Sequence, residues 1–178
     1  MIIGLVPGAM KPYHAGHHYL VERALVECDE VIIFTTLKDR KEISGLKMKA
    51  VWEKIIIPNL PSNVKVEFVV SPIGSVFQLI EWENIACTNA EYRIYGGSED
   101  SSRFSSKYIN DRWPFSGKRF TNVANEASSM YLRGIGSSPM AKGEWVRNAI
   151  QVEDLDKFRS LLPEFLQPYS RKYFKYLI

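Results

Sequence analysis

The sequence predicts an α/β fold, a parallel sheet flanked by helices. Short apolar runs end at Pro or Gly, helical patterns alternate with them, and 178 residues suit one sizeable core.

The elements follow in order. Ile2 to Val6 is an unbroken apolar run closed by Pro7-Gly8, the form of a strand buried on both faces. Gly16 to Cys28 carries Tyr19, Leu20, Ala24 and Leu25 at helical spacing, and Val31 to Thr36 is a β-branched second strand. Leu46 to Ile57 reads as a helix stopped by Pro58, with Pro61 in the loop that follows. Val64 to Val70 reads as a third strand, Val76 to Asn84 as a helix, and Arg93-Ile94-Tyr95 as a fourth strand leading into Gly96-Gly97. Asp111 to Asn122, with Trp113, Pro114 and Gly117, reads as a loop over the sheet. Gly143 to Ile150 and Asp154 to Leu162 read as two helices, the second stopped by Pro163. Strands joined by helices imply right-handed crossovers, and such sheets bind ligands beyond the carboxyl ends of their strands.

These elements predict one domain over 1–178, with 164–178 as a basic and aromatic tail that packs its rings and leaves its charges in water. Composition is that of an ordinary globular protein, 46% apolar and 24% charged. A net charge of +3 suits an acidic small molecule and argues against a nucleic-acid partner. Cys28 and Cys87 read as reduced thiols of a cytoplasmic protein. The apolar start is too short for a membrane span and lacks the basic region of a signal peptide, so no membrane association is expected. A homo-oligomer is compatible with all of this.

The loop after the first strand carries most of the functional information: Gly8-Ala9-Met10-Lys11-Pro12-Tyr13-His14-Ala15-Gly16-His17. Gly8 ends the strand without a side chain. His14 and His17 lie three residues apart across a helix start, where free N–H groups and the positive end of the macrodipole attract phosphate. Two imidazoles there can donate to oxygens that gain charge as an α-phosphorus is attacked. The spacing also suits a structural pair or part of a metal site. His18 points about 100° away on a helix, which disfavours a metal.

The segment resembles the nucleotidylyltransferase signature Gly-x-Phe-x-Pro-x-His-x-Gly-His. Gly8, Pro12, His14, Gly16 and His17 match, while Met10 stands where an aromatic is usual. The resemblance implies a Rossmann-like parallel sheet flanked by helices, a single nucleotidylyltransferase domain. It gives His14 and His17 the role of contacting NTP phosphates in the transition state, with Gly8, Ala9, Met10 and Gly16 beside the nucleotide.

Two later segments extend it. Gly96-Gly97-Ser98-Glu99-Asp100 resembles the family's Gly-Ser-Asp motif, which implies nucleotide contacts for Gly96, Gly97, Ser98 and Asp100, and for Arg103 beyond them. Lys142-Gly143-Glu144-Trp145-Val146-Arg147 resembles Ser-Gly-Thr-x-Val-Arg, which implies roles for Lys142, Gly143, Val146 and Arg147. Lys142 and Glu144 depart from the hydroxyl residues of that motif; in another register Ser137 and Ser138 supply the hydroxyls.

Lys38 and Arg40, after the second strand, form a basic cluster suited to phosphate, with Thr36 beside them. Trp113 is the candidate for stacking on a ring of the substrate, and Trp82 is expected in the core. The expected reaction is attack by a small phosphorylated substrate on an NTP, with loss of pyrophosphate. Lys11, Lys38 and Arg147 neutralise phosphates, and Mg²⁺ arrives with the NTP rather than at a dedicated protein metal site. AMP transfer to nicotinamide mononucleotide, a NAD-forming step, is the first expectation, from the Pro-Tyr-His form of the motif. CMP transfer to an alcohol phosphate and a non-catalytic nucleotide-binding module are the alternatives.

Overall fold

Strand β1 (Ile2–Pro7) is hydrogen-bonded in parallel on both sides, to β2 (Glu30–Thr36) and to β4 (Glu91–Ile94). That position explains its unbroken apolar run, since both faces are covered. In this computed structural model, which describes residues 1–96, 101–123 and 141–178, the sheet has the order β3-β2-β1-β4-β5. Strand β3 is Val64–Val69 and β5 is Phe120–Asn122, which pairs in parallel with β4. The chain direction reverses its lateral progress at β1, the kind of switch point that opens a crevice at strand carboxyl ends.

The helices are α1 (Ala15–Glu27), α2 (Gly45–Val51), α3 (Pro72–Ala86), α4 (Ser106–Arg112), α5 (Gly143–Gln151), α6 (Leu155–Ser160) and α7 (Ser170–Leu177). Helix α2 continues into a π turn (Trp52–Ile56) and a 3-10 turn (Ile57–Asn59), where Pro58 ends it. Among the described residues, no helix is long and apolar enough to cross a membrane.

The described residues form two compact units that interleave along the chain. One lies within Met1–Gly8, Leu20–Thr35 and Asn63–Ser137, the other within Ala9–Tyr19, Thr36–Ser62 and Ser138–Ile178.

The first unit holds the sheet. Its core gathers Leu5, Phe34, Val76, Ile80, Ile94, Phe104, Ile109 and Trp113. Gly4 lets α1 approach the sheet, because a Cβ there would lie 3.0 Å from the Ala24 Cβ and 3.2 Å from the Cys28 sulfur. A buried carboxylate ties the far edge together. Glu83 of α3 accepts hydrogen bonds from the Tyr92 hydroxyl (2.6 Å), the Thr88 hydroxyl (2.6 Å) and Arg119 (2.9 Å). Those bonds and burial oppose one another, and the Glu83 carboxyl ends below the usual range.

Asp111 to Asn122, expected as a loop, instead contains the end of α4, a 3-10 turn at Gly117–Arg119 and all of β5. The Tyr92 and Phe120 rings stack at 4.4 Å, and Arg119 reaches the carbonyls of Thr88 and Ala90. A three-residue strand carries too little periodicity to be seen in sequence; the ion pair and the stacked ring hold it. Trp113 is corrected by the same finding. It is 7% exposed and stacked on Phe77 at 5.7 Å, so its ring is core and not a platform for substrate. Trp82, expected inside, is 55% exposed.

The second unit holds α2, α5, α6, α7 and the opening of α1. Tyr173 and Phe174 of the tail are buried on Phe158, and the Tyr173 hydroxyl donates to the Tyr13 carbonyl at 2.8 Å. Arg171, Lys172 and Lys175 face water.

Candidate active site

The site is built in the second unit from the segment Lys11 to His17. Tyr13 is fully buried, packed on Trp52 at 4.9 Å, and its hydroxyl meets the His18 Nδ1 at 2.7 Å. His18 also lies against Phe165, so it braces the segment rather than serving a ligand. His14 lies just before α1 and His17 in its first turn, where the Tyr13 ring also stacks on His17 at 5.8 Å.

The two imidazoles stack with centroids 3.9 Å apart and planes 28° from parallel. The Gly16 N–H donates to the His14 Nδ1 at 3.0 Å, and the His14 N–H donates to the His17 Nδ1 at 3.4 Å. Each Nδ1 is therefore an acceptor, which leaves the proton of a neutral ring on Nε2. Burial and the Arg147 guanidinium hold His14 at about 4. Burial, then His14, Arg40 and Arg147, hold His17 well below the ordinary histidine value. Two neutral rings thus present Nε2–H donors at physiological pH. Gly16 is required at this spot: a Cβ there would lie 2.8 Å from the His14 Cε1 and 2.9 Å from the Ala141 carbonyl oxygen.

Arg147 on α5 donates to the Lys11 carbonyl at 3.2 Å. A Cβ on Gly143 would sit 2.9 Å from that guanidinium, so Gly143 clears its path. Lys142 caps α5 without a side-chain bond, and its carbonyl accepts the Trp145 and Val146 N–H groups. Its ammonium instead lies 5.6 Å from the centre of the Trp145 ring.

Lys11 is only 2% exposed and donates to the Thr36 and Ala9 carbonyls. Burial and Arg40 lower its pKa to about 8, partly offset by Asp39, so it carries its charge at neutral pH. Burial and Arg40 likewise depress Arg147, with Glu144 and Glu42 opposing. Lys11, Arg40 and Arg147 thus repel one another beside two neutral donors. An anion would relieve that repulsion.

The sequence expectations separate accordingly. His14, His17, Gly16, Lys11, Gly143 and Arg147 come together, and the exposed Arg40 acts on Lys11, His17 and Arg147 through its charge. Lys38 is exposed, and its N–H donates to the Thr36 hydroxyl at 3.2 Å. Met10 and Val146, expected beside the nucleotide, have side chains 2% and 0% exposed and belong to the core; Met10 has a left-handed φ of 49°. Gly8 and Ala9 are half-buried, and the Gly8 N–H closes onto the Phe34 carbonyl at 2.9 Å. Gly96 is buried after β4, and Arg103 is exposed at the end of a 3-10 turn, both in the sheet unit. Gly97, Ser98, Asp100, Ser137 and Ser138 lie outside the described residues.

Sequence reasoning missed Asp39 and Gly45. The Asp39 carboxylate accepts the Gly45 N–H at 2.7 Å. A glycine opening a helix directly after a Ser cap was the available signal. Among the described residues, no three His, Cys, Asp or Glu side chains gather as metal ligands.

With this geometry in hand, comparison with known proteins adds three findings. Residues 4–71 match the family described as citrate lyase ligase C-terminal domain. That stretch runs from β1 through β3 and includes both imidazoles. No curated protein matches the chain. Among solved structures, the chain is similar to Thermotoga maritima TmcAL bound with alpha-thio ATP, at 13% identity and a TM-score of 0.50. The likeness covers 98% of this chain and 56% of that one, so the chain spans little more than half of TmcAL. At that identity the likeness shows a shared α/β fold.

Proposed function

We propose that this chain is a nucleotidylyltransferase that transfers AMP from ATP to a small phosphorylated acceptor and releases pyrophosphate. One observation carries the reading: two imidazoles stacked at 3.9 Å, each accepting a backbone N–H on Nδ1, sit at the opening of a helix beside Arg147, which donates to the Lys11 carbonyl. The resemblance of the Gly8–His17 segment to the superfamily signature supports it. So do the family match over the same segment and the alpha-thio ATP bound by TmcAL.

In this mechanism an anionic acceptor oxygen attacks the α-phosphorus in line, and the bond to the pyrophosphate oxygen breaks. The Nε2–H groups of His14 and His17 donate to the oxygens that gain charge. Their low pKa values keep them neutral, so they act by hydrogen bonding rather than by giving up a proton. Arg147 holds the phosphate chain near the N-terminus of α5, and buried Lys11 acts through its field. Mg²⁺ bound with the triphosphate would be held chiefly by its phosphate oxygens and would shield its charge. Positioning and charge complementarity account for most of the rate.

Nicotinamide mononucleotide is the first acceptor to test, with CTP and alcohol phosphates as the competing pair. The word ligase in the family's description favours a second reading, in which the attacking anion is a carboxylate. A pyrophosphatase-coupled phosphate assay over ATP and CTP, with phosphate monoesters and carboxylates as acceptors, separates these. The proposal expects acceptor-dependent pyrophosphate release from ATP with a phosphate monoester. Nucleotide binding without release from any pair would mark a binding module instead.

A further inference from the structure

Within the second unit, α6 and α7 are joined by a short stretch that is mostly a 3-10 turn, Glu164–Tyr169. Pro163 caps this turn and Pro168 lies inside it, so two fixed φ angles stiffen it. Against it lies a cavity of about 620 Å³ lined by Arg159, Glu164, Gln167, Pro168, Ser170 and Arg171. That size falls within the roughly 300–1,000 Å³ of small-molecule sites. The imidazole chemistry uses none of these residues.

One buried hydroxyl organises the wall. Ser170 is 1% exposed, and its Oγ accepts the Arg159 Nε–H at 2.9 Å. The bond fixes the plane of the guanidinium fork. The Ser170 hydroxyl proton has no acceptor among the described residues. A buried donor without an acceptor is costly, and the cavity is where an acceptor can reach it. Charge at the cavity is also uncompensated. Arg171 and Glu164 both line it, yet neither forms an ion pair with any described residue. Arg159 meets the Asp156 carboxylate at 3.8 Å, and that side chain is 94% exposed. The Gln167 amide N–H donates to the Leu162 carbonyl at 3.4 Å, which leaves the amide oxygen as an acceptor. The two helices thus supply donors and positive charge, and the turn between them supplies acceptors. A phosphate monoester with free hydroxyl groups matches that division. Its phosphate takes the guanidinium and Ser170 donors, and its hydroxyls donate to Glu164 and Gln167. A bare polyanion would meet the Glu164 carboxylate.

We propose that this cavity is a second small-molecule site, for the phosphate monoester of a polyhydroxylated compound such as a sugar phosphate. It does not depend on the nucleotidyl-transfer reading. Nitrogen-15 spectra of the full chain test it, through separate titrations with glucose 6-phosphate, inorganic phosphate and glucose. Glucose 6-phosphate should move the Arg159 Nε–H and the Ser170 and Arg171 amide signals saturably. Inorganic phosphate should need concentrations on the order of tenfold higher, and glucose should move nothing. Arg171→Ala and Ser170→Ala should each weaken glucose 6-phosphate by on the order of tenfold. Glu164→Gln should weaken glucose 6-phosphate yet tighten inorganic phosphate, because it removes a repelling charge along with a strong acceptor. Arg171 is exposed, so Arg171→Ala keeps the test open should Ser170→Ala fail to fold. The site is overturned by the lack of a saturable shift, or by an equal response to glucose or to inorganic phosphate. Wild-type binding in Arg171→Ala or Glu164→Gln overturns it too, as do shifts confined to Arg147 and the imidazole pair.

Discussion

The His14 backbone N–H donates to the Nδ1 of His17, so the first imidazole's own main chain sets the tautomer of the second. Gly16 does the same for His14. The motif thus assigns both Nδ1 atoms to backbone donors and leaves Nε2–H as the remaining donor of each ring. Its chemistry follows from backbone geometry as much as from residue type.

Removing one donor should cost rate without costing the fold. His17 is half-buried at the start of a helix, and its ring carries one of the two Nε2–H groups. His17→Ala is expected to lower turnover by on the order of 10²-fold or more. Steady-state pyrophosphate release beside a circular dichroism spectrum checks this. Near wild-type turnover in a folded variant would refute the assignment.

Gly16→Ala should be almost as damaging for a different reason. The added methyl meets a backbone oxygen, Ala141 O, as well as the His14 ring, and only the ring can yield. Overpacking of this kind costs roughly 1–3 kcal/mol, and the displaced ring loses its bond to the Gly16 N–H. Thermal melts should show the destabilisation, and turnover should fall with it. A crystal structure of the variant with His14 unmoved would contradict the argument.

The same burial makes stability depend on pH. His14 titrates at about 4 in the folded chain against an ordinary value of 6.5. Between those values the unfolded chain binds the proton and the folded chain does not. Stability is therefore complete above about pH 6.5 and falls as pH drops towards 4, by about 1.4 kcal/mol per unit for one such group. His18, buried to a similar value, adds to the slope. Urea unfolding from pH 4 to 7 should show this decline, and His14→Gln should flatten it in part. An identical slope in the variant would remove His14 from the account.

Trp113 and Trp82 should behave oppositely on truncation. Trp113→Ala opens the core between Phe77 and Tyr108 and should cost about 3–5 kcal/mol. Trp82→Ala, on the exposed side of α3, should change stability by no more than about 0.5 kcal/mol. Chemical denaturation of both variants decides it.

The sheet was legible in sequence wherever apolar runs were long. Ile2 to Val6 and Val31 to Thr36 read correctly because strands buried on both faces need unbroken hydrophobicity. Strand β5 was illegible because it is three residues held by Arg119 and Tyr92 rather than by its own pattern. The imidazole pair was visible through spacing and a neighbouring glycine. What spacing could not show was direction: Met10 and Val146 fall on the buried side, and Trp113 faces the core. Nor could it show Asp39 and Gly45, whose partnership exists only when the loop folds back on itself.

The central claim is that two neutral rings with Nε2 protons seat the phosphates. Nitrogen-15 imidazole spectra at pH 7, recorded during a Mg-ATP titration, measure it directly. His14 and His17 are both expected as neutral Nε2–H tautomers whose Nε2–H signals shift on binding, while His18 stays put. Rings that are protonated, that carry the proton on Nδ1, or that ignore the nucleotide would contradict it.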